Sequence, residues 1–401
     1  MRIVHVCLTG PYTDGLGYQE NLLTKYHKKL GHEVIIIAND CRWSKSGKIE
    51  CSSLEETYIN ENGIPVYRLT PVFGAFGRRL GLYHGFLKLL RELDPDVVFF
   101  HGPQSLALLK VVKYKKRHKS EVVLLVDSHA DFWNSARNFI SKNILHKGLW
   151  RIVVKTVEPY VEKFYCVAPQ CCDFLRQVYR IADSRIELLV MGADDEKIIL
   201  DQDKRGKIRK QIREKLKIKE SEFLIITGGK IDKQRRQTLS LMKVVRNFRE
   251  APLKMVIFGT IAEELSEEFM SLLDADKIIY LGWLSQEQIY EYLIASDLAV
   301  YPGSFSVLWQ HTVALGIPSV FKYFPGQEYL DLGGNCLFLY DDSEEEMYKV
   351  LKRVVTDETL YGRMKEVALK EGHKVFTYGE IAKKSLEPVK ATSVIHSAKQ
   401  W

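Results

Sequence analysis

No apolar run in the sequence approaches the roughly 20 residues that would span a bilayer. The longest, VIIIA and VVLLV, have the length of single strands. The chain opens MRIVHVCL, a strand entered at once. A charged leader, a long apolar stretch and a small-residue cleavage site are all missing there, so no signal peptide is expected and the expected location is cytoplasmic. Seven cysteines make an odd count without framework spacing, and Cys171 and Cys172 stand side by side with no CxxC pair to complete a zinc site. Reduced thiols are the expectation. A GxGxxG fingerprint is absent, which removes the usual signal of a dinucleotide-binding dehydrogenase. A DxD after a strand is absent as well. Asp94-Pro-Asp96 precedes its strand and Asp274-Ala-Asp276 falls between helix and strand, so both read as turns rather than as a metal site. No nucleic-acid recognition module is visible.

What is present is ordinary for a soluble globular chain. Of its 401 residues 46% are hydrophobic and 27% charged, enough for two or three domains. The formal net charge of +7 is concentrated locally: Arg78 through Arg91, KVVKYKKRHK from Lys110 to Lys119, and the stretch from Lys204 to Lys219. Such clusters read either as solvated helix faces or as an attraction to an anionic surface such as a membrane leaflet.

Strand-like and helix-like segments alternate throughout. IVHVCLT precedes helical spacing of Leu22, Leu23, Tyr26 and Leu30; Gly31 ends that helix and EVIIIA follows as a strand. Helix 83–93 is followed by strand VVFF, and helix 105–114 by strand VVLLV. After the Gly turn of VMGAD a second series begins: FLIITGG, helix 237–248, MVIFGT, IIYLGW and DLAVYPG. Continuous apolar strands alternating with helices predict parallel sheets covered on both faces. The reading is two doubly wound α/β domains facing across a cleft. They cover residues 1–191 and 192–375, with a helix over 376–390 returning to the first and a loosely ordered tail over 391–401.

In open α/β sheets ligands sit beyond the carboxyl ends of the strands, and four segments stand there. Gly15 and Gly17 bracket the bend before the first helix, where free backbone N–H groups can meet a ligand. His101 follows VVFF, and Asp127, Ser128 and His129 follow VVLLV. After FLIIT come Gly228, Gly229, Lys230, Lys233, Arg235 and Arg236, cations beside a Gly turn and a helix start, which suit a diphosphate. After DLAVYP, Gly303 to Ser306 lead into a helix over 307–315, whose first amides, near Phe305 to Leu308, would face an anion. That helix would carry Gln310 and His311 toward a ribose.

With these residues in place the chain resembles glycosyltransferase family 4, of the GT-B fold, over nearly its whole length. The glycine loop with LGHEV, VMGADDEKI, GGKIDKQRR, FGT around Gly259, YLGWLS and ASDLAVYPGS followed by ALGIPSVF carry the resemblance by their order and spacing. SVLWQHTVALGIPSVFKY with DLGGNCLF resembles a bacterial branch acting in surface-polysaccharide assembly, such as capsule or O-antigen. The resemblance implies two Rossmann-like domains, an acceptor-side first and a donor-side second. It implies transfer of a sugar from a nucleotide-sugar donor with retention, without a metal or other cofactor. The acceptor would be a glycan or lipid-linked glycan, with peripheral contact at the inner face of the cell membrane.

Residue by residue, it implies His129 near the reacting carbon, with Lys230 and Arg235 on the diphosphate. Gly15, Gly17, Gly229 and Gly259 would line the donor, with Trp283 and Leu284 near the base. Ser304, Phe305, Ser306, Val307, Leu308, Gln310 and His311 would meet phosphate or sugar, with His101 and Asp127 on the acceptor side. One departure stands out. The family often carries Glu, seven residues, Glu across the last motif, and anchored on Gly316 those positions hold Gly303 and His311, with Gln310 as neighbour. A non-catalytic GT-B protein that binds a glycan or nucleotide is the alternative.

Overall fold

The structure, a computed structural model, describes residues 1–44, 48–132, 134–136 and 138–390. The expected loose tail over 391–401 lies outside the described residues. The chain forms two compact units, one of residues 1–191 together with the chain from Ile381 onward, the other of residues 192–380.

The first unit contains β1 (Arg2–Cys7), β2 (Glu33–Asn39), β3 (Cys41–Trp43), β4 (Ile49–Cys51), β5 (Glu56–Ile59), β6 (Pro65–Leu69), β7 (Val97–His101), β8 (Val123–Ser128), β9 (Lys163–Cys166) and β10 (Ile186–Leu188). Eight of them make one sheet in the order β10-β9-β8-β7-β1-β2-β6-β5, parallel except for β5 against β6. β1, β7 and β8 are buried along nearly their whole length, which is why they read as unbroken apolar runs. The chain leaves β1 toward β2 on one side and later returns to β7 on the other. The carboxyl ends of β1 and β7 therefore flank a topological switch point.

The second unit contains β11 (Phe223–Ile231), β12 (Leu253–Ile261), β13 (Ile278–Tyr280), β14 (Leu298–Tyr301), β15 (Ser319–Lys322) and β16 (Cys336–Leu339). They form a wholly parallel sheet in the order β13-β12-β11-β14-β15-β16, with its switch point between β11 and β14. Leu239, Met242, Val245, Met255, Ile257 and Phe269 pack one face of it.

Helix Gln202–Lys215 corrects the reading of the Lys204–Lys219 cluster, because Arg205 and Arg213 are buried. Arg213 donates to the Lys219 and Glu222 carbonyls, each at 2.6 Å, and to Asp297 at 3.3 Å, while Arg209 donates to Asp297 at 2.8 Å. Asp297 also accepts the Leu224 N–H at the start of β11, so these cations tie the helix to the sheet.

The cysteines differ from expectation too. Cys41 faces Cys51 across the antiparallel β3–β4 pair, with Cα atoms 4.0 Å apart, and the two are bonded. Cys166 at the end of β9 is bonded to Cys172 in the following helix, with Cα atoms 5.3 Å apart. Cys7, Cys171 and Cys336 are free and buried. The adjacent pair Cys171-Cys172 hid this pairing, which depends on where a strand ends and the next helix turns.

Candidate functional site

The switch point of the first sheet opens into a cavity of about 590 Å³. Cys7, Thr9 and Gly10 line it beyond β1, His101 and Gly102 beyond β7, and His129 and Ala130 beyond β8. Arg79, Glu20, Gln104, Asn134, Ser135, His146 and Trp150 complete the wall. The floor is built around Asp127, which is fully buried. Its Oδ2 lies 2.6 Å from His101 Nδ1 and 3.8 Å from His129 Nε2, and its Oδ1 accepts the Gly102 N–H at 3.1 Å. Burial alone would raise this carboxyl's pKa, but the charges and bonds of His101 and His129 outweigh it and hold the group well below the usual range. The His129 ring is 44% exposed to the cavity. Desolvation works against its charged form, yet the bond and charge of Asp127 prevail and raise its pKa. Three residues that the sequence placed after strands thus meet at one point, an anchored carboxylate between two imidazoles.

The glycine loop behaves differently. The Gly15 N–H donates to Glu61 Oε1 at 2.9 Å, so a carboxylate of the chain itself occupies one donor expected to face a ligand. Gly15 has φ of 74°, which suits glycine; Gly17 is not among the positive-φ glycines.

In the second unit Gly229 and Gly259 are register partners at the ends of β11 and β12. A Cβ on Gly259 would come within 1.9 Å of the Gly229 carbonyl oxygen, and φ there is 115°. The two glycines are what allows the backbones to approach here. Across the switch point, a Cβ on Gly303 would lie 3.0 Å from Arg235 Cγ. Arg235 Nη1 donates to the Lys230 carbonyl at 3.1 Å, and Lys230 Nζ lies 3.6 Å from Asp232. Arg236 pairs instead with Glu268 at 2.9 Å, away from the glycines. Gly229, Lys230, Arg235, Gly259 and Gly303 therefore form one cluster at the carboxyl edge. The glycine at 303, where the resemblance leads one to expect glutamate, is the surface on which Arg235 lies.

The helix Val307–Ala314 only partly follows the reading. Ser304, Phe305 and Ser306 are half-buried and Val307 is exposed. Ser306 caps the helix by accepting the Leu308 N–H at 3.3 Å, so that amide is already bonded within the chain. Gln310 is fully buried and donates to Tyr329 at 3.2 Å, which removes it from the ribose-facing set. Buried Trp309, the next residue back, stacks on Tyr301 of β14 and Phe321 of β15, with ring centroids 6.2 and 4.9 Å apart. His311 bonds the Gly192 carbonyl and meets the Tyr290 ring edge-on at 5.8 Å. Burial, partly opposed by that carbonyl, pushes its pKa down to about 4, so it is neutral at pH 7. Trp283 is exposed beyond β13, whereas Leu284 is buried.

Sequence reasoning missed Arg79, Glu20, Asn134, Ser135, His146 and Trp150, none of which directly follows a strand. It also missed His5 and His27, although a histidine inside the apolar strand IVHVC was a visible signal.

Two doubly wound domains, each with polar groups gathered at its switch point, are the architecture of the GT-B fold. Residues 15–197 match the model of Glycosyltransferase Family 4 and residues 208–371 that of Glycosyl transferases group 1. The chain belongs to the GT-B glycosyltransferase superfamily. A comparison with curated protein sequences finds no match. Among solved structures it is similar to HepE of Anabaena in complex with UDP, at 14% identity and a TM-score of 0.67 over 98% of this chain and 100% of that one. A glycosyltransferase of Rickettsia africae is similar at 15% and 0.66, over 98% of each chain. Sucrose-phosphate synthase of Thermosynechococcus elongatus follows at 12% and 0.65, over 98% and 99%. At these identities the structures establish the fold.

Proposed function

We propose that the protein transfers a sugar, with retention and without a metal, from a nucleotide-diphosphate sugar to a lipid-linked glycan during bacterial surface-polysaccharide synthesis. The cluster of Gly229, Lys230, Arg235 and Gly259 at the second switch point carries the reading. Gly259 lets the two strand ends close up, Gly229 leaves open space where a ligand would meet the backbone, and two cations stand beside it to offset charge on a departing diphosphate. The solved structures of HepE with UDP and with UDP-glucose show such a donor on a protein of this fold. In this assignment Lys230 and Arg235 stabilise the leaving group, His129 contacts the donor sugar, and His101 and Asp127 serve the acceptor side. The retaining outcome rests on the resemblance to family 4.

The lipid-linked acceptor and the membrane contact are supported by the two elements that wall the first cavity. Helix Gly74–Leu80 supplies Arg79, and the helical segment Ile140–Trp150 supplies His146 and Trp150. These elements, with the residues just before them, also expose Phe73, Phe76, Phe139, Ile140 and Ile144. Residues 62–91 and 132–157 contain basic side chains and no Asp or Glu, although Arg78 is paired with Asp40 from outside these stretches. That combination suits an anionic lipid surface. Among the described residues no helix is long and apolar enough to cross a membrane.

The test is nucleotide release from UDP-, GDP- and ADP-sugars, with and without EDTA. Release with one donor, abolished in Lys230→Ala and unaffected by EDTA, is expected. Removing one such charge costs about 3 kcal/mol, roughly a hundredfold in rate. Donor binding without turnover on any panel member would instead favour a non-catalytic GT-B protein. Gly303 and His311, standing where the family often has carboxylates, are the observation behind that second reading. Flotation with vesicles of anionic phospholipid but not of phosphatidylcholine is expected, and Ile144→Glu should weaken it.

A further inference from the structure

Behind the cavity floor the first unit contains a continuous file of hydrogen-bonded side chains. His101 Nδ1 bonds Asp127, and its Nε2 lies 3.0 Å from His5 Nδ1. His5 Nε2 lies 3.0 Å from His27 Nδ1, and His27 Nε2 lies 2.8 Å from Ser385 Oγ. Ser385 Oγ in turn approaches the Ala382 carbonyl at 2.8 Å, and the Ser385 carbonyl accepts the Tyr165 hydroxyl at 3.0 Å. His5, His27 and Ser385 are fully inaccessible, and the imidazoles stack against one another and on Phe99. The members come from β1, helix Gln19–Lys29, β7, β8 and helix Tyr378–Ser385.

We propose that His5, His27 and Ser385 are positioning residues that fix the tautomer and protonation state of the Asp127–His101 pair at the cavity floor. A neutral imidazole donates from one nitrogen and accepts at the other, so each bond in the file dictates the next. With Asp127 ionised and His101 neutral, His101 donates through Nδ1–H to Asp127, His5 through Nδ1–H to His101, and His27 through Nδ1–H to His5. The Ser385 hydroxyl must then donate to His27. The reverse arrangement is equally complete. One further proton, taken from water, resides between Asp127 and His101 Nδ1. His101, His5 and His27 all donate through Nε2–H, and the Ser385 hydroxyl turns to the Ala382 carbonyl. The two arrangements differ by that one proton, which returns to water when the file reverts. No ring can adopt the wrong tautomer without setting two acceptors or two donors face to face in a buried site, which is costly.

The charged and titratable groups facing the file are Asp127 and His129 at its cavity end, Glu20 near His129, and His32 near His27. The inference goes beyond the proposed transfer reaction, because it concerns the resting protein and can be read without a substrate.

The experiment is a pH titration of the full chain labelled with ¹⁵N-histidine, following each ring's two nitrogens by long-range proton–nitrogen correlation. At pH 7.5 His5, His27 and His101 are expected to show Nδ1–H alone. On acidification they should change together, with one midpoint. Ser385→Ala removes the only donor to His27 Nε2 in the file, while the Ala382 carbonyl, which also bonds His27, remains to accept its Nε2–H, so the proton-loaded arrangement is favoured. It should raise the common midpoint by about one pH unit and alter the His5 and His101 signals, although neither touches residue 385. Three independent midpoints would overturn the proposal. So would Ser385→Ala signals unchanged at His5 and His101, even if the variant melts at a lower temperature. If Ser385→Ala does not fold, Ser385→Thr, which retains the hydroxyl, must reproduce the wild-type tautomers, and its failure to do so would also count against the file.

Discussion

Acidification should weaken the first unit well before its carboxylates are protonated. His27 is fully buried, and desolvation, reinforced by the nearby charge of His32, pushes its pKa down to about 3. An unfolded histidine titrates near 6.5, so between these values the unfolded chain binds a proton that the folded one refuses. The folded pKa is depressed, so the stability is present above about 6.5 and is lost as pH falls toward 3. By linkage, moving from pH 7 to pH 5 costs about 2 kcal/mol for His27. His5 is equally buried and shifted in the same direction by desolvation, so it adds to this loss. The raised pKa of His129 acts the other way and offsets part of this. Against a total stability of about 5–15 kcal/mol the loss is large. Hydrogen exchange read on β1 and β7, corrected for the intrinsic pH dependence, is the assay. Protection should fall by about thirtyfold between pH 7 and pH 5 from His27 alone, since 1.4 kcal/mol is a factor of ten. A fall of less than tenfold would show that these imidazoles do not refuse protons and would refute the reasoning.

Other outcomes follow from the second unit and the cysteines. Gly259→Ala forces a Cβ to within 1.9 Å of the Gly229 carbonyl at a φ of 115°, so it should destabilise the second unit by about 2–4 kcal/mol in thermal or urea unfolding. Arg213→Met leaves Asp297 without one partner and two part-buried carbonyls without donors; a loss of about 3 kcal/mol is expected by urea unfolding. In protein prepared without reductant, thiol titration in denaturant should count three groups, Cys7, Cys171 and Cys336, and seven after reduction.

The fold was legible because its cause is local. EVIIIA, VVFF, VVLLV and MVIFGT have no polar face, and only a strand covered on both sides tolerates that. Glycines and cations after those strands likewise marked the strand ends, which is how His101, Asp127 and His129 could be named together. What stayed hidden depends on direction rather than position. Gln310 stands one residue from His311, yet the helix buries it against Tyr329. Arg213 sits in a run of charges, yet a single carboxylate at Asp297, 84 positions later, draws it inside. The Gly15 amide meets Glu61 through a loop whose course no periodicity encodes.

The helix that supplies Ser385 has a consequence for how the protein is made. Ile381, Ala382, Leu386 and Val389 are buried and belong to the first unit, whose other residues end at Met191. A ribosome therefore completes the second unit's 189 residues, from Gly192 to Glu380, before the first unit receives its last piece. At about 5–20 residues per second the wait is roughly 10–40 s. Throughout it, the nascent first unit shows His27 and Tyr165 without their covering helix, a surface that a chaperone can recognise and that closes only once Ser385 has been made.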